Sequence, residues 1–376
     1  MTSGVSSGPK ERVAWLDIAR AMSIVLVVIY HVAVGGAGHV LLGGRETFIG
    51  KLWLHGNLAL VPLRMPLFFM VSGVLAAGAI RRPWKVVVRP RIYDLLWPYV
   101  LWSMIWAATA WPRYAPDAPG EFFVGEITGL LMIGSPYWFI AVLPIFFLIT
   151  RLGSSRPKLL VALTLIAYGA APFIQRAMRA SEAPSDLVYG VFQLTDNALW
   201  FALGFAAREW ILRIGSRPRP VLGSILLLAF CLLAFIVERG ELPASPTRFL
   251  ELGASMSGLV SCAALLPLAA RSVALARAGT YLGSRTLVIY LVHPVFINLA
   301  VLAWRDSGAE ESFGGMTRDL LMVPVVTAMA IGAAVAVQAT VHRIGPRWLL
   351  KAPGGSAPSG HEMHNTMQAR RRVSVG

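Results

Sequence analysis

The sequence predicts an all-α polytopic membrane bundle of about ten transmembrane helices, with both termini on the cytoplasmic side. Three observations lead there. The 376 residues are 56% hydrophobic and 14% charged, with mean hydropathy +0.63, whereas a soluble domain carries about 25% charge. Apolar runs long enough to cross a bilayer recur from one end of the chain to the other. The basic residues gather in every second connection between those runs.

The runs fall at 14–35, 57–80, 92–111, 136–150, 158–174, 194–212, 220–238, 250–270, 284–304 and 319–342. Ten crossings return the chain to the side on which it began. With the N-terminus in the cytoplasm, the inner segments are 1–20, 81–94, 151–158, 208–219, 271–285 and 343–376. They hold 24 Lys/Arg and 5 Asp/Glu, against 10 and 14 in the remainder. That is the positive-inside bias, repeated at each connection. The net charge of +15 is therefore topological, with some attraction to anionic inner-leaflet lipid, and nucleic acid is not an expected partner. The expected location is the inner or plasma membrane. Residues 1–350 read as one membrane domain. Residues 351–376, rich in Gly, Pro, Ser and Arg, read as a disordered basic cytoplasmic tail.

No cleavable signal peptide is expected, because Asp17 and Arg20 stand near the start of the first run and no small-residue cleavage site follows it. Cys231 and Cys262 lie in apolar runs and form no disulfide framework. No metal-site or phosphate-loop spacing is present, so no metal and no bound cofactor is expected.

The first run carries Asp17, Arg20 and His31. Ionisable groups inside a bilayer are costly and rare, so each is a functional candidate. Arg20 and His31 lie on one helix face, ~16 Å apart along the axis, as on the wall of a polar passage. Arg20 falls near the cytoplasmic face and His31 toward the outer one. Asp17 is ~21 Å from His31, too far to orient it, and pairs more naturally with Arg20.

The second run holds Arg64 to Gly73, with Pro66, Ser72 and Gly73; Pro and Gly there are compatible with ordinary helix packing. The third opens on Arg89, Pro90, Arg91 and Asp94, where Arg91 and Asp94 are spaced to pair on one face. The apolar stretch Glu121–Gly134 is too short to span and reads as re-entrant or interfacial. The fourth run starts at Pro136, Tyr137, Trp138 and Phe139, aromatics that suit a membrane interface. The ninth contains Tyr290 and His293-Pro294, and a histidine there either bonds to a neighbouring helix or lines the same passage.

These residues resemble a known family. Leu16-Asp17-Ile18-Ala19-Arg20 followed by ten residues and His31 is similar to the R-x10-H signature of the integral-membrane acyltransferase family 3. Met65–Gly73, MPLFFMVSG, resembles the family's MPLFFFISG run. Leu96-Trp97-Pro98-Tyr99, Trp138-Phe139 and Tyr290-Leu291-Val292-His293-Pro294 resemble its later motifs, so the likeness runs from Arg12 to about Phe296. The opening WLDIAR and the MPLFF run look most like the fucose 4-O-acetylase-like subgroup. Two positions depart from the pattern. Asp94 stands where an RxxR would place a second arginine, and Arg64 stands where the subgroup often has histidine.

The resemblance implies transfer of an acyl group from cytoplasmic acyl-coenzyme A, acetyl-CoA above all, to a hydroxyl of a glycan, an envelope polymer or a secreted small molecule. Arg20 and Arg91, with Arg89 as either a third partner or an anchor, suit the donor's phosphates, which guanidinium groups bind bidentately. His31 suits the general base that an alcohol nucleophile needs; it either deprotonates the acceptor or accepts the acyl group first. Asp17, Ser72, Trp138, Tyr290 and His293 are expected around the site, Ser72 through packing or a backbone bond rather than as a nucleophile. A transporter or flippase of a lipid-linked glycan is the competing reading, because it too needs a helix bundle with buried polar groups.

Overall fold

A computed structural model describes residues 13–42, 47–240, 243–307 and 315–354. Among these residues there are sixteen α-helices, one π-turn, one 3-10 turn and no strand. Residues 355–376, which hold most of the expected disordered tail, lie outside the described residues.

Each predicted run has its helix. They are α1 (Ala14–Ala33), α4 (Val61–Ile80), α6 (Asp94–Tyr114), α8 (Trp138–Leu152), α9 (Pro157–Ala180), α10 (Ser185–Ala206), α12 (Pro220–Arg239), α13 (Ala244–Ala269), α15 (Thr286–Asp306) and α16 (Gly315–Ile344). Between them stand α2 (Gly36–Leu41), α3 (Phe48–Ala59), α5 (Trp84–Val88), α7 (Pro119–Leu131), α11 (Arg208–Ile214) and α14 (Val273–Gly283). Seven helices among the described residues are long and apolar enough to cross a membrane: α1, α4, α9, α12, α13, α15 and α16. Helix α8 is apolar but has only 15 residues, and α6 and α10 are long but less apolar. The stretch 121–134 forms α7 and the turn after it, a short non-spanning helix as expected.

Burial sorts the spans into an inner and an outer set. In α4, α15 and α1, 67%, 61% and 50% of the spanning window is buried, against 17% in α12 and 22% in α9. The outer helices show Leu163, Ile166, Val221, Leu228 and Leu232 to the exterior, as lipid-facing surfaces do when all backbone bonds are satisfied within the helix. Helix α1 packs against α4, α14, α15 and α16. It is the axis of the inner set.

Two expectations need correction. The run 57–80 is not one helix: α3 stops at Ala59 and α4 starts at Val61, with Leu60 at φ −88° and ψ −1° between them. Pro62 stands at the first turn of α4, where its missing N–H costs nothing. Its ring would clash with the Leu58 carbonyl in a continuous helix. Asp94 does not pair with Arg91. Its carboxylate lies 3.9 Å from the Arg89 Nε, because Arg89–Tyr93 forms a π-turn in which the Asp94 N–H reaches the Arg89 carbonyl five residues back. A wider turn brings residues five apart together and rotates Arg91 away.

The inner helices meet through small residues. A Cβ on Gly73 of α4 would stand 2.1 Å from the Phe201 carbonyl oxygen of α10, and one on Gly204 would stand 2.0 Å from that of Met70. Backbone cannot swing aside, so these positions admit only glycine. Gly73→Ala is expected to cost about 1–3 kcal/mol, read as a lowered midpoint of thermal unfolding in detergent. Gly169→Ala, where nothing lies within 4 Å, leaves that midpoint in place or raises it.

The chain's last described residues dock on α6. Trp97 and Trp102 donate their indole N–H to the carbonyls of Trp348 and Leu349, at 2.7 and 2.8 Å. The Arg89 guanidinium donates to those of Ala352 and Pro353, at 2.6 and 3.1 Å.

Candidate active site

Two cavities hold most of the predicted residues. The first, of about 300 Å³, is lined by Tyr30, His31, Arg64, Trp138, Tyr189 and Arg248 among others. The second, of about 330 Å³, is lined by Arg20, Ser72, Pro90, Arg91 and Thr286 among others. They lie at opposite ends of the same helices. On α1, Val27, Tyr30 and His31 face the first and Arg20 the second. On α4, Val61, Pro62, Arg64, Met65 and Pro66 contribute to the first and Phe68, Ser72, Leu75 and Ala76 to the second. Phe139 of α8 and Tyr290 of α15 line both.

At the Arg20 end, the Arg20 guanidinium donates to the Thr286 hydroxyl at 2.9 Å and stands 3.9 Å from the Asp17 carboxylate. Asp17 is buried and lines neither cavity; it steadies Arg20, as its spacing suggested. The π-turn leaves Arg91 on the cavity wall, while Arg89 faces the C-terminal carbonyls. The sequence grouped the two arginines, and the structure separates them. Ser72 lines the cavity, but its hydroxyl donates to the Phe68 carbonyl at 2.8 Å, the backbone bond expected of it.

At the other end, His31 Nδ1 lies 2.8 Å from the Val27 carbonyl. A carbonyl only accepts, so Nδ1 carries the proton and the neutral ring keeps its lone pair on Nε2. His293 repeats the arrangement, with Nδ1 at 3.0 Å from the Ile289 carbonyl. Its ring centroid is 5.0 Å from that of His31. Against expectation it neither bonds to a neighbouring helix nor lines the passage: it is fully buried behind the cavity wall, and its Nε2 has no hydrogen-bond partner among the described residues. Trp138 and Tyr290 stand on the wall as expected.

Several lining groups went unpredicted. Arg64 is 5% exposed; it donates to the Asn57 carbonyl at 2.7 Å, and its guanidinium lies 4.2 Å from the centre of the Tyr30 ring. The Tyr30 ring in turn meets that of His31 at 5.4 Å. Farther along the wall, Arg248 pairs with Asp196 and, at 2.8 Å, with Glu251. It also donates to the Tyr168 carbonyl and lies 3.5 Å from the centre of that ring. Asp196 sits inside the predicted run 194–212 and was legible by the rule that flagged Asp17. Arg248→Met strands two partly exposed carboxylates and is expected to destabilise the fold by about 1–2 kcal/mol, less than the loss of a fully buried partner. Adding Asp196→Asn restores part of that loss in the same thermal unfolding assay.

Among the described residues no three His, Cys, Asp or Glu side chains stand together in a way that could hold a metal. The cavities offer arginines at one end, an imidazole base at the other, and aromatic rings between. Such a set can bind an anionic donor and deprotonate a hydroxyl.

Comparison with known proteins fits this arrangement. The acyltransferase domain family matches residues 13–339. The inner membrane protein YcfT of Escherichia coli (strain K12) is 26% identical over 184 residues, which cover 44% of this chain and 50% of that protein. The chain thus spans about half the length of this curated relative. No solved structure matches.

Proposed function

The chain belongs to the acyltransferase family, and from that premise we propose that it is a multi-pass membrane O-acyltransferase, moving an acetyl or other short acyl group from cytoplasmic acyl-CoA to a hydroxyl of a glycan or secreted small molecule. The observation that carries this reading is the pair of cavities meeting at Phe139 and Tyr290, with Arg20 and Arg91 in one and His31 in the other. The positive-inside bias supports an inner-membrane orientation with the Arg20 cavity toward the cytoplasm, where acyl-CoA is made. The placement in the fucose 4-O-acetylase-like subgroup rests on the WLDIAR and MPLFF motifs alone and leaves the acceptor sugar open.

In this reading Arg20 and Arg91 hold the donor's phosphates, and the pantetheine arm runs inward past Ser72 toward Phe139. The acceptor enters the other cavity, where aromatic rings and the Asp196–Arg248–Glu251 network offer stacking surfaces and polar partners. Its hydroxyl gives its proton to His31 Nε2 as the oxygen attacks the thioester carbonyl. The C–S bond then breaks, the acyl group remains on the acceptor oxygen, and the coenzyme A thiolate takes up a proton. Arg64, on the same wall, supplies positive charge for the oxyanion that forms during attack. His293 braces His31 from behind.

The test is comparative mass spectrometry of surface glycans and secreted small molecules from a deletion strain and its complemented parent. Loss of an acyl increment from one hydroxyl-bearing species, restored by the wild-type gene and not by His31→Ala, supports the reading. Identical profiles contradict it.

A further inference from the structure

Phe139 and Tyr290 are the lining residues that the two cavities have in common. Any group passing from Arg20 and Arg91 to His31 must cross between them. The two rings stand 5.4 Å apart and are almost fully buried, so the described conformation keeps the cavities apart.

The two rings are held differently. The Tyr290 hydroxyl donates to the Pro136 carbonyl at 3.1 Å and accepts from the Phe139 N–H at 3.2 Å. One residue away, the Tyr137 hydroxyl donates to the Leu291 carbonyl at 2.8 Å. Two tyrosines thus clasp the start of α8 to α15, one from each side. Ser135 Oγ adds bonds to Ser103 Oγ at 2.6 Å and to the Tyr137 N–H at 3.2 Å. The frame is tied by directional bonds, and both the Phe139 backbone and the Tyr290 ring belong to it.

The Phe139 ring has no such tie. It is wedged by contact with Phe68 at 4.4 Å and Phe69 at 4.7 Å between ring centres. Contacts of this kind are non-directional, so no hydrogen bond has to break for this ring to turn.

We propose that the Phe139 ring is the movable partition between the cavities and sets the length of the acyl chain that crosses from the donor cavity to His31. The inference rests on the acyl-transfer reading above and adds to it a specificity-determining residue. The turned ring would still be flanked by the Tyr290 ring and by Phe68, so a short acyl group crosses more readily than a long one. A hydrophobic limit of this kind discriminates by roughly tenfold or more per methylene.

The experiment compares acetyl-CoA with butyryl-CoA as donors. Wild type, Phe139→Ala and Phe139→Leu, each purified and shown monodisperse in detergent, are given envelope extract as acceptor, and release of free coenzyme A is followed. Phe139→Ala is expected to raise the butyryl-to-acetyl rate ratio by about a hundredfold, roughly tenfold for each of the two extra methylenes. Phe139→Leu is expected to move it the same way by less, and decides the matter if the alanine variant does not fold. An unchanged ratio in a folded variant overturns the gate. Wild type releasing coenzyme A from neither donor overturns instead the acyl-transfer reading beneath it.

Discussion

His31→Ala is expected to lower acyl transfer by about two to four orders of magnitude, the usual worth of a general base, while membrane insertion and thermal stability stay near wild type. The residue is half-buried on a cavity wall, and among the described residues its ring bonds to the Val27 carbonyl in its own helix. Its removal therefore leaves no distant partner stranded. His31→Gln is the sharper form, because it keeps volume and hydrogen-bonding capacity but not basicity. If it retains full activity, the base lies elsewhere. His293→Gln should lower the rate less, because His293 lines neither cavity and acts through the His31 ring.

Arg20→Ala is expected to raise the KM for the acyl-CoA donor by roughly ten- to a hundredfold, the loss of one hydrogen-bonded charge, with kcat changed far less. The pattern follows from position: Arg20 lines the cavity proposed for the donor and is remote from His31, so it would bind ground state and transition state alike. Thr286→Val removes the hydroxyl that orients the guanidinium and should shift KM the same way by a smaller factor. An unchanged KM in Arg20→Ala would make Arg20 only the partner of Asp17. Arg91→Ala should resemble Arg20→Ala, and Arg89→Ala should not, because Arg89 is engaged with the Ala352 and Pro353 carbonyls.

The bundle was legible because lipid imposes one strong rule, an apolar run of fixed length. All ten runs hold a helix, and among the described residues seven of these meet both length and hydropathy. Departures arose where local chemistry overrides helical periodicity. Pro62 divides α3 from α4, and the π-turn at Arg89–Tyr93 breaks the 3.6-residue register that pairing Arg91 with Asp94 assumes. That turn also bears on Asp94, the position where the family pattern has arginine. Its carboxylate neighbours Arg89, and neither residue lines the Arg20 cavity.

The site was legible within single helices and hidden between them. Arg20 and His31 follow from spacing along α1. The contact of His31 with His293, or of Arg248 with Asp196, joins helices far apart in the chain, and nothing local encodes it. Arg64 was visible as a departure from the family's motif, but its place beside Tyr30 and His31 needed the fold. The shared wall of Phe139 and Tyr290 likewise appears only once α8 and α15 are side by side.

In the proposed reaction one protein joins an arginine-lined cavity for the donor to a histidine base. That reaction is tested most directly by offering acetyl-labelled coenzyme A to the purified protein with envelope extract and following the label. With wild type the label is expected to leave coenzyme A and appear as an alkali-labile ester on the acceptor, and with His31→Gln it is expected to stay at equal donor binding. Label remaining on coenzyme A with wild type, while a lipid-linked sugar still binds, would rule out acyl transfer and point to transport.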